Sequence, residues 1–307
     1  MKGLRRWFVR PALSVVVVFY DMPREAQRTL YSLTPEYQRG VAAADYEVIA
    51  VDNGSRQPLD PHGVERFGCN FHSVFYPAAT PSPCAALNAA VNIARGRYVM
   101  CCIDGARMLS PGILRHTLHL LPQLAHPFIY TLGMHLGREL QNQALLHGYN
   151  QQIEDTLLDS VDWRRDGYQL FRIACLAGSS SKGPFGTMTE SNGFALRKTD
   201  YLALGGYDER FASPGGGLCN LDWFNRVHDS AQFQPVRLLG EATFHQFHGG
   251  VATNVPPDQH PWPSMAEEYR TIRGRDFTSG YREPLYWGEC PEPFRPFLTT
   301  NRWDPPC

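Results

Sequence analysis

The chain has 307 residues, a formal net charge of −1, and 43% hydrophobic and 19% charged residues. This composition is typical of a folded globular protein and excludes a disordered or fibrous chain. The balanced charge gives no electrostatic reason to expect nucleic acid as the main partner. No apolar run approaches the roughly 20 residues that a membrane-spanning helix needs, so we expect no transmembrane segment.

The cysteines and the start of the chain indicate a cellular compartment. The eight cysteines include no Cys-x-x-Cys pair, and Cys101 and Cys102 lie within an apolar run. This pattern favours a reducing cytoplasm over a disulfide framework or a zinc site. The basic segment 1–11 is followed by no long apolar stretch, so we interpret it as a solvated leader and not as a signal peptide. The alternative is a weak contact that makes the protein peripheral to a membrane.

Three apolar runs in the first third of the chain predict β-strands: "LSVVVVFYD" from Leu13, "YEVIAVDNGS" from Tyr46 and "GRYVMCCIDG" from Gly96. None of them alternates polar with apolar residues, which is typical of strands covered on both faces in a parallel sheet. Helical spacing fills the two intervals, at 24–33 and 82–96. The order strand, helix, strand, helix, strand predicts a doubly wound α/β fold with right-handed crossovers.

The rest of the chain is less regular. From residue 110 to about 167 the spacing is helical, beginning with "PGILRHTLHLLPQL". The Gly/Ser-rich segment 177–188 has the composition of a mobile lid. The tail 251–307, rich in Pro and Trp, is predicted to pack on the surface of the domain.

Each of the three predicted strands ends on an aspartate, at Asp21, Asp52 and Asp104. In open α/β sheets ligands bind outside the carboxyl ends of the strands, so these residues predict a binding rim. Three carboxylates on one rim would repel each other unless polar or cationic groups lay among them. The simpler interpretation is that Asp favours turns after strands. For three aspartates in equivalent positions we favour the binding rim.

Three longer segments, "VIAVDNGS", "LNAAVNIARGRYVMCCIDGA" and "SNGFALRKTDYLALGGYDERF", together resemble the family 2 glycosyltransferases of GT-A fold, over roughly residues 13–250. The resemblance implies a mainly parallel central sheet flanked by helices. It also implies one GT-A domain at 1–250, with a nucleotide-binding half at 13–110, an acceptor half at 188–250, and an extension at 251–307 that packs on the domain.

The activity implied by this resemblance is sugar transfer, with inversion, in polysaccharide or glycoconjugate synthesis. The donor would be a UDP-, GDP- or dTDP-linked sugar, and the acceptor a hydroxyl of a carbohydrate, a lipid-linked intermediate or a small molecule. Asp52 would hold the base, Asn88 would support the nucleotide pocket, and Asp104 would face the ribose and the metal. Asp21 would belong to the same donor site. Because a diphosphate departs, a divalent ion (Mn²⁺ or Mg²⁺) or arginines must neutralise its charge.

The metal motif departs from the family pattern, because the second aspartate of its DxD motif would fall at position 106, which is Ala106 here. A single carboxylate alone binds Mg²⁺ or Mn²⁺ only weakly. In one interpretation His245 or His248, in "FHQFHGG", completes the metal site, as a histidine does in family members. Which of the two points inward depends on whether the segment is extended or turned.

Two alternatives to a metal site completed by histidine stay open. Without a metal, Arg107 or Arg197 would bind the diphosphate, since the guanidinium fork suits phosphate oxygens. Alternatively the protein is a catalytically inactive module that binds a nucleotide sugar. A nucleotidyltransferase is a less favoured enzyme, because such proteins need a Gly-rich loop after the first strand, and "YDMPREAQ" has no glycine.

The catalytic base is the second departure. Inverting members use a carboxylate, often in a Gly-Glu-Asp-x-Asp stretch, to accept the proton of the acceptor hydroxyl. In "GGGLCNLDWFNR" that position is Asn220, and an amide cannot accept a proton at neutral pH. Asp222 and Glu190 are the two candidate bases. Asp222 is equally well interpreted as an acid that the dipole of a helix N-terminus favours.

Overall fold

The computed structural model describes residues 10–77 and 80–298. Most of the predicted leader, at 1–9, and the end of the predicted tail, at 299–307, lie outside the described residues.

Within the described residues the chain forms ten strands and nine α-helices. The strands are β1 Leu13–Phe19, β2 Tyr46–Asp52, β3 Phe71–Phe75, β4 Tyr98–Cys102, β5 Arg107–Leu109, β6 Pro127–Leu136, β7 Ala174–Leu176, β8 Phe194–Arg197, β9 Gln234–His245 and β10 Leu285–Gly288. The helices are α1 Pro23–Tyr31, α2 Pro61–Glu65, α3 Cys84–Ile93, α4 Ile113–Leu120, α5 Gln141–Ala144, α6 Gln151–Asp159, α7 Lys198–Ala203, α8 Cys219–Asp229 and α9 Trp262–Arg273.

All ten strands belong to one sheet, in the order β10-β9-β6-β8-β4-β1-β2-β3, with β5 paired to β9 and β7 paired to β6. Along this path only β8 runs against its neighbours, β4 and β6. The predicted α/β fold, with a mainly parallel central sheet flanked by helices, is therefore confirmed. The sheet contains strands from both halves expected from the resemblance, so the halves share one scaffold.

The sheet is covered on both faces, which explains the unbroken apolar runs. Val16 and Val18 of β1 point into a cluster that includes α3 and α8. Val15 and Val17 point the other way, into a cluster that includes α1 and α4. Because alternate residues of a strand face opposite sides, both sets must be apolar. Burying each such valine contributes roughly 1.5–3 kcal/mol.

The tail, as far as residue 298, belongs to the same body. The strand β10 pairs in parallel with β9, Leu285 lying opposite Val236. Met265 and Tyr269 of α9, together with Phe294, are buried in the cluster that holds α3. The segment 251–298 thus adds a strand, a helix and aromatic side chains to the domain.

The predicted lid at 177–188 is fastened to the sheet. Ser180 Oγ accepts a hydrogen bond from Gly133 N (3.0 Å), on β6. Arg237 of β9, whose side chain is buried, donates to the carbonyl oxygens of Pro184 (2.6 Å) and Gly186 (2.8 Å). No residue of 177–188 lines the cavity at the carboxyl ends of β1 and β4. These contacts attach the segment to the sheet away from the cavity, whereas its mobility stays a prediction.

Within the segments 10–77 and 80–298, no helix has the length and apolar character needed to cross a membrane.

Candidate active site

A cavity of about 470 Å³ opens at the carboxyl ends of β1 and β4, which are neighbours in the sheet. Its walls come mainly from residues 18–22 at the end of β1, from Ile103, Asp104 and Arg107 after β4, from Glu190 and Asn192 before β8, from the glycine loop around 214–217 and from the loop 248–253 after β9. Asn53, Arg56, Pro81, Pro83, Asn220 and Met265 complete the lining. This is the position where open α/β sheets bind ligands, and the volume falls within the usual range for small-molecule sites.

Asp104 is held in the wall by the tight turn that follows β4. Its Oδ1 accepts a hydrogen bond from Ala106 N (3.0 Å), and its Oδ2 accepts one from Arg107 Nε (3.1 Å). Gly105 is required here, since a Cβ at this position would lie 2.3 Å from a ring carbon of Phe19. Ala106 is fully buried and does not line the cavity. A second aspartate at 106 would therefore be buried in this turn.

Strand pairing brings two histidines to Asp104. Arg107 in β5 lies opposite His245, the last residue of β9. His245 Nε2 lies 3.2 Å from Asp104 Oδ2, and His248 Nε2 lies 3.8 Å from Asp104 Oδ1. The sequence led us to expect one of the two histidines to point inward; in the structure both face Asp104, because the chain turns after β9, and His248 also lines the cavity.

Electrostatics give Asp104 and His245 different protonation states. Burial alone would raise the pKa of Asp104, but His245, Arg107 and His248 hold it well below its usual range. Burial lowers the pKa of His245 to about 4, although Asp104 opposes that shift. At neutral pH Asp104 is therefore ionised and His245 is neutral, which is the form of imidazole that binds a metal.

This cluster fits a divalent metal. One ligand atom from each of Asp104, His245 and His248 lies within 4.8 Å of the others. His245 Nε2 and His248 Nε2 are 3.2 Å apart. The carboxylate suits Mn²⁺, and imidazole nitrogen is an acceptable ligand for this ion although not its preferred one. The two histidines are the residues of this cluster that could supply the ligands that Ala106 cannot.

Asp21 lines the same cavity, on the β1 side. Its carboxylate accepts hydrogen bonds from Arg56 Nε (2.8 Å) and Arg56 N (2.9 Å). Asp21 has φ +51°, and no other non-glycine residue of the described part has a positive φ. Strained backbone of this kind is concentrated at functional sites. The sequence led us to expect a polar or cationic group among the aspartates of the binding rim. Next to Asp21 this group is Arg56.

Asp52 is placed differently from the other two aspartates. It is buried, and its two carboxylate oxygens accept hydrogen bonds from Ser55 N and Leu59 N, both at 2.8 Å. It does not line the cavity, whereas Asn53, the next residue, does. In this arrangement Asp52 shapes the loop after β2, and its contact with a nucleotide base stays a prediction.

Asn88 also lies outside the cavity wall. Its Nδ2 donates to Tyr207 O and to Glu209 Oε1, both at 2.9 Å, and its Oδ1 accepts from Tyr201 OH at 2.6 Å. Gly206 must be a glycine, because a Cβ there would lie 2.5 Å from Asn88 Oδ1. These contacts fasten α3 to the "GGYDE" loop, so Asn88 acts on the cavity at most indirectly.

Glu190 lines the cavity, and Asn220 orients it. Asn220 Nδ2 donates to Glu190 Oε2 (2.6 Å), while Asn220 Oδ1 accepts from Tyr207 OH (2.7 Å). The tyrosine hydroxyl fixes the amide in the orientation that points its NH₂ group at the carboxylate. Asn220, which cannot act as a base, thus positions Glu190, which can.

Asp222 is not brought to the cavity. It is buried in α8, and its oxygens accept hydrogen bonds from Arg226 Nε (2.9 Å), Arg273 Nε (2.6 Å) and Arg273 Nη2 (2.7 Å). An acid committed to two arginines and separated from the cavity is unsuited to accept a proton from a substrate. Its contacts correct the expectation of a base and indicate an ion-pair role.

Arg197 is likewise remote from the site. It lies opposite Tyr98 at the start of β4, whereas Asp104 follows the end of that strand, and its Nη2 donates to Leu124 O (2.9 Å). Arg107 is buried beside Asp104, and its Nη1 has no hydrogen-bond partner among the described residues. Of the two arginines proposed for the diphosphate, the structure brings only Arg107 to the cavity.

Sequence reasoning missed several residues near the site. Arg56 and Asn192 line the cavity; Arg56 directly follows "VIAVDNGS" and Asn192 lies within "SNGFALRKTDYLALGGYDERF", so these two motifs could have indicated them. Gln141 and Asn254 contact the histidine cluster and each other. No sequence signal indicates these two, because only the fold brings them together.

Comparison with known proteins finds no matching family model and no matching curated protein. Among solved structures, the crystal structure of S. aureus TarS 1-349 has 13% identity and a TM-score of 0.49, the match covering 76% of this chain and 60% of that one. Its complex with UDP has 14% identity and a TM-score of 0.48, covering 76% and 59%. The chain thus spans about 60% of the length of these proteins.

A second similar protein is the mannosyltransferase PcManGT from Pyrobaculum calidifontis, in complex with GDP-Man and Mn²⁺. It has 17% identity and a TM-score of 0.46, and the match covers 95% of this chain and 69% of that one. Likeness at this level does not assign an activity, which must rest on the residues of this chain.

Proposed function

We propose that this chain is a metal-dependent glycosyltransferase of the family 2 type, which moves a sugar from a nucleotide-sugar donor to a hydroxyl acceptor. The observation that carries the proposal is the cluster of Asp104, His245 and His248 beside a cavity at the carboxyl ends of β1 and β4. A cavity of about 470 Å³ lined by Asp104 and His248 and, separately, by the Glu190 carboxylate suits a reaction in which a diphosphate leaves and a hydroxyl is deprotonated.

The donor would lie against the β1 and β4 side of the cavity. Asp104, His245 and His248 would hold a divalent ion, Mn²⁺ or Mg²⁺, which when bound supplies positive charge to the departing diphosphate. Arg107 would add a guanidinium next to Asp104, and Arg56, at the mouth beside Asp21, would add another. Residues 13–110 would therefore provide most of the nucleotide-binding half.

The acceptor would enter from the side formed by Glu190 and the glycine loop around 214–217. Its hydroxyl oxygen would attack the anomeric carbon while the bond from that carbon to the diphosphate oxygen breaks, and Glu190 would accept the hydroxyl proton. A single displacement of this kind inverts the anomeric centre. Asn220 would position Glu190, and residues 188–250 would form the acceptor half.

The test is a donor panel. Purified protein is incubated with UDP-, GDP- and dTDP-linked sugars, with Mn²⁺ or with EDTA, and nucleoside diphosphate release is measured with and without hydroxyl acceptors. We expect slow release from one nucleotide class, acceleration by an acceptor, and loss of both in EDTA and in Asp104→Ala. If no donor binds with or without Mn²⁺, the proposal fails.

The same assay separates the alternatives. Pyrophosphate in place of nucleoside diphosphate would identify a nucleotidyltransferase. Tight donor binding without any turnover, unaffected by Glu190→Gln, would identify a binding module. The orientation of Glu190 by Asn220 and Tyr207 favours the enzyme, since a binding module has no need for a fixed carboxylate at the acceptor side.

A further inference from the structure

The amide of Gln141, fully buried at the start of α5, has its orientation fixed by its neighbours. Its Nε2 faces the carbonyl oxygens of His245 (3.0 Å) and Leu136 (3.5 Å). Carbonyl oxygens accept hydrogen bonds, so the NH₂ group must point toward them and Oε1 must point the other way. That oxygen lies 2.7 Å from His245 Nδ1 and accepts from Asn254 Nδ2 (3.0 Å).

This orientation determines the tautomer of His245. Because Gln141 Oε1 can only accept, His245 Nδ1 must carry the hydrogen, and the neutral ring then has its lone pair on Nε2. This Nε2 lies 3.2 Å from Asp104 Oδ2 and 3.2 Å from His248 Nε2. A lone pair facing a carboxylate is favourable when a cation lies between them. The network therefore prepares His245 to be a metal ligand.

Asn254 connects the same amide to the second histidine. Its Oδ1 accepts hydrogen bonds from the backbone N–H groups of His248, Gly249 and Gly250, each at 3.0 Å. Gly249 has φ +85°, which favours glycine, so this turn has a defined shape. One side chain thus fixes the backbone that carries His248 and also donates to Gln141 Oε1.

We propose that Gln141 and Asn254 form a positioning pair that holds His245 in its Nδ1–H tautomer and sets the place of His248, so that both Nε2 atoms can bind the divalent ion. The inference rests on the proposed metal-dependent function and deepens it. Neither residue lines the cavity, so both act through the histidines.

The pair works against a competing arrangement. Without the Gln141 oxygen, His245 can place its hydrogen on Nε2 and donate it to Asp104 Oδ2 at 3.2 Å, which occupies the lone pair that a metal needs. Groups that orient metal-binding histidines typically change metal affinity 10- to 100-fold when they are replaced. We expect a loss of that size for either member of the pair.

The experiment measures Mn²⁺ binding to the full chain without nucleotide, by the electron paramagnetic resonance signal of free Mn²⁺. Gln141→Leu removes the acceptor. Asn254→Asp keeps an acceptor for the three backbone N–H groups but places an oxygen against Gln141 Oε1, which favours rotation of that amide. Gln143→Leu, exposed on the same helix, and Asn150→Asp, exposed at the cap of α6, are matched controls.

A second measurement reports the tautomer directly. The ¹⁵N shifts of histidine-labelled, metal-free protein at pH 8 distinguish Nδ1–H from Nε2–H, and His245→Ala assigns the signal. We expect Nδ1–H in the wild type and Nε2–H in Gln141→Leu and Asn254→Asp.

The outcomes separate the two proposals. A 10- to 100-fold loss of Mn²⁺ affinity in Gln141→Leu and Asn254→Asp, with both controls within about twofold of wild type, supports the positioning pair. Wild-type affinity in both variants, or an Nε2–H tautomer in the wild type, overturns the pair and leaves the glycosyltransferase proposal standing. If the wild type binds no Mn²⁺, the metal site fails and the pair fails with it. If Gln141→Leu does not fold, Asn254→Asp and the wild-type tautomer decide.

Discussion

Replacing Asp222 and Glu190 by their amides should separate stability from turnover. Asp222 is 2% exposed and accepts three hydrogen bonds from Arg226 and Arg273, whose side chains are 25% and 20% exposed. In Asp222→Asn an NH₂ group faces a guanidinium, Arg226 loses its counter-charge, and Arg273 keeps only Asp208 (2.9 Å). Removing one partner of a buried ion pair destabilises by about 3–5 kcal/mol; since both arginines retain some solvent contact, we expect about 2–4 kcal/mol.

Glu190→Gln should show the opposite behaviour. The amide can no longer accept a proton, so we expect kcat to fall roughly 100- to 10,000-fold, the range for a general base, while the free energy of unfolding changes little. Both variants are assayed by urea unfolding followed by fluorescence, and by nucleoside diphosphate release at a temperature where each is folded. Asp229→Asn, exposed at the end of α8, controls for the change in charge. A stable Asp222→Asn without turnover, next to an active Glu190→Gln, would refute the assignment of the base.

Substitutions at three more positions test the base, a buried acid and the metal site. In Asn220→Asp a carboxylate replaces the amide that lies 2.6 Å from Glu190 Oε2, and the two like charges oppose ionisation of the base, so we expect the acid limb of the pH–rate profile to move to higher pH by about one unit or more. Burial raises the pKa of Glu241 to about 7; the folded state therefore binds the proton more tightly than the unfolded state, and stability falls as pH rises from about 4.5 to about 7. Glu241→Gln should remove up to ~3 kcal/mol of that decline, measured as the free energy of unfolding at pH 5 and pH 7.5. His248→Ala should abolish the stimulation of turnover by Mn²⁺. Because the ring lies at the cavity wall, the melting temperature should stay within about 2 °C of wild type. EDTA-insensitive turnover in the wild type would contradict the role of the metal.

The fold, and the site residues that directly follow a strand, could be predicted from the sequence because both depend on local patterns. The apolar runs at Leu13, Tyr46 and Gly96 indicated strands covered on both faces, and they form β1, β2 and β4 of a sheet with two apolar clusters. Asp104 was indicated by its place directly after such a run. A residue that comes directly after a strand can be placed from the sequence because the chain itself makes the connection.

The remaining features depend on contacts between distant parts of the chain. Asp104 lies near His245 only because the three-residue strand β5 pairs with β9. In this pairing Arg107 lies opposite His245, which is 138 residues further along the chain. Asp222 has the side chain that a base needs, but Arg273, 51 residues further along the chain, donates a hydrogen bond to it. Asp52 has a carboxylate of the kind predicted for the site, but both of its oxygens accept hydrogen bonds from backbone N–H groups of the loop after β2. Such pairings leave no periodic signal in one sequence.

The central claim is that Asp104, His245 and His248 jointly bind a divalent ion in the cavity that takes the donor. It is tested most directly by crystals soaked with Mn²⁺ and a nucleoside diphosphate, with anomalous scattering measured at the manganese edge. We predict one anomalous peak within coordination distance of an Asp104 oxygen and the Nε2 atoms of both histidines, next to the diphosphate. A nucleotide bound in the cavity with no peak at these residues, or with manganese held elsewhere, would contradict the account.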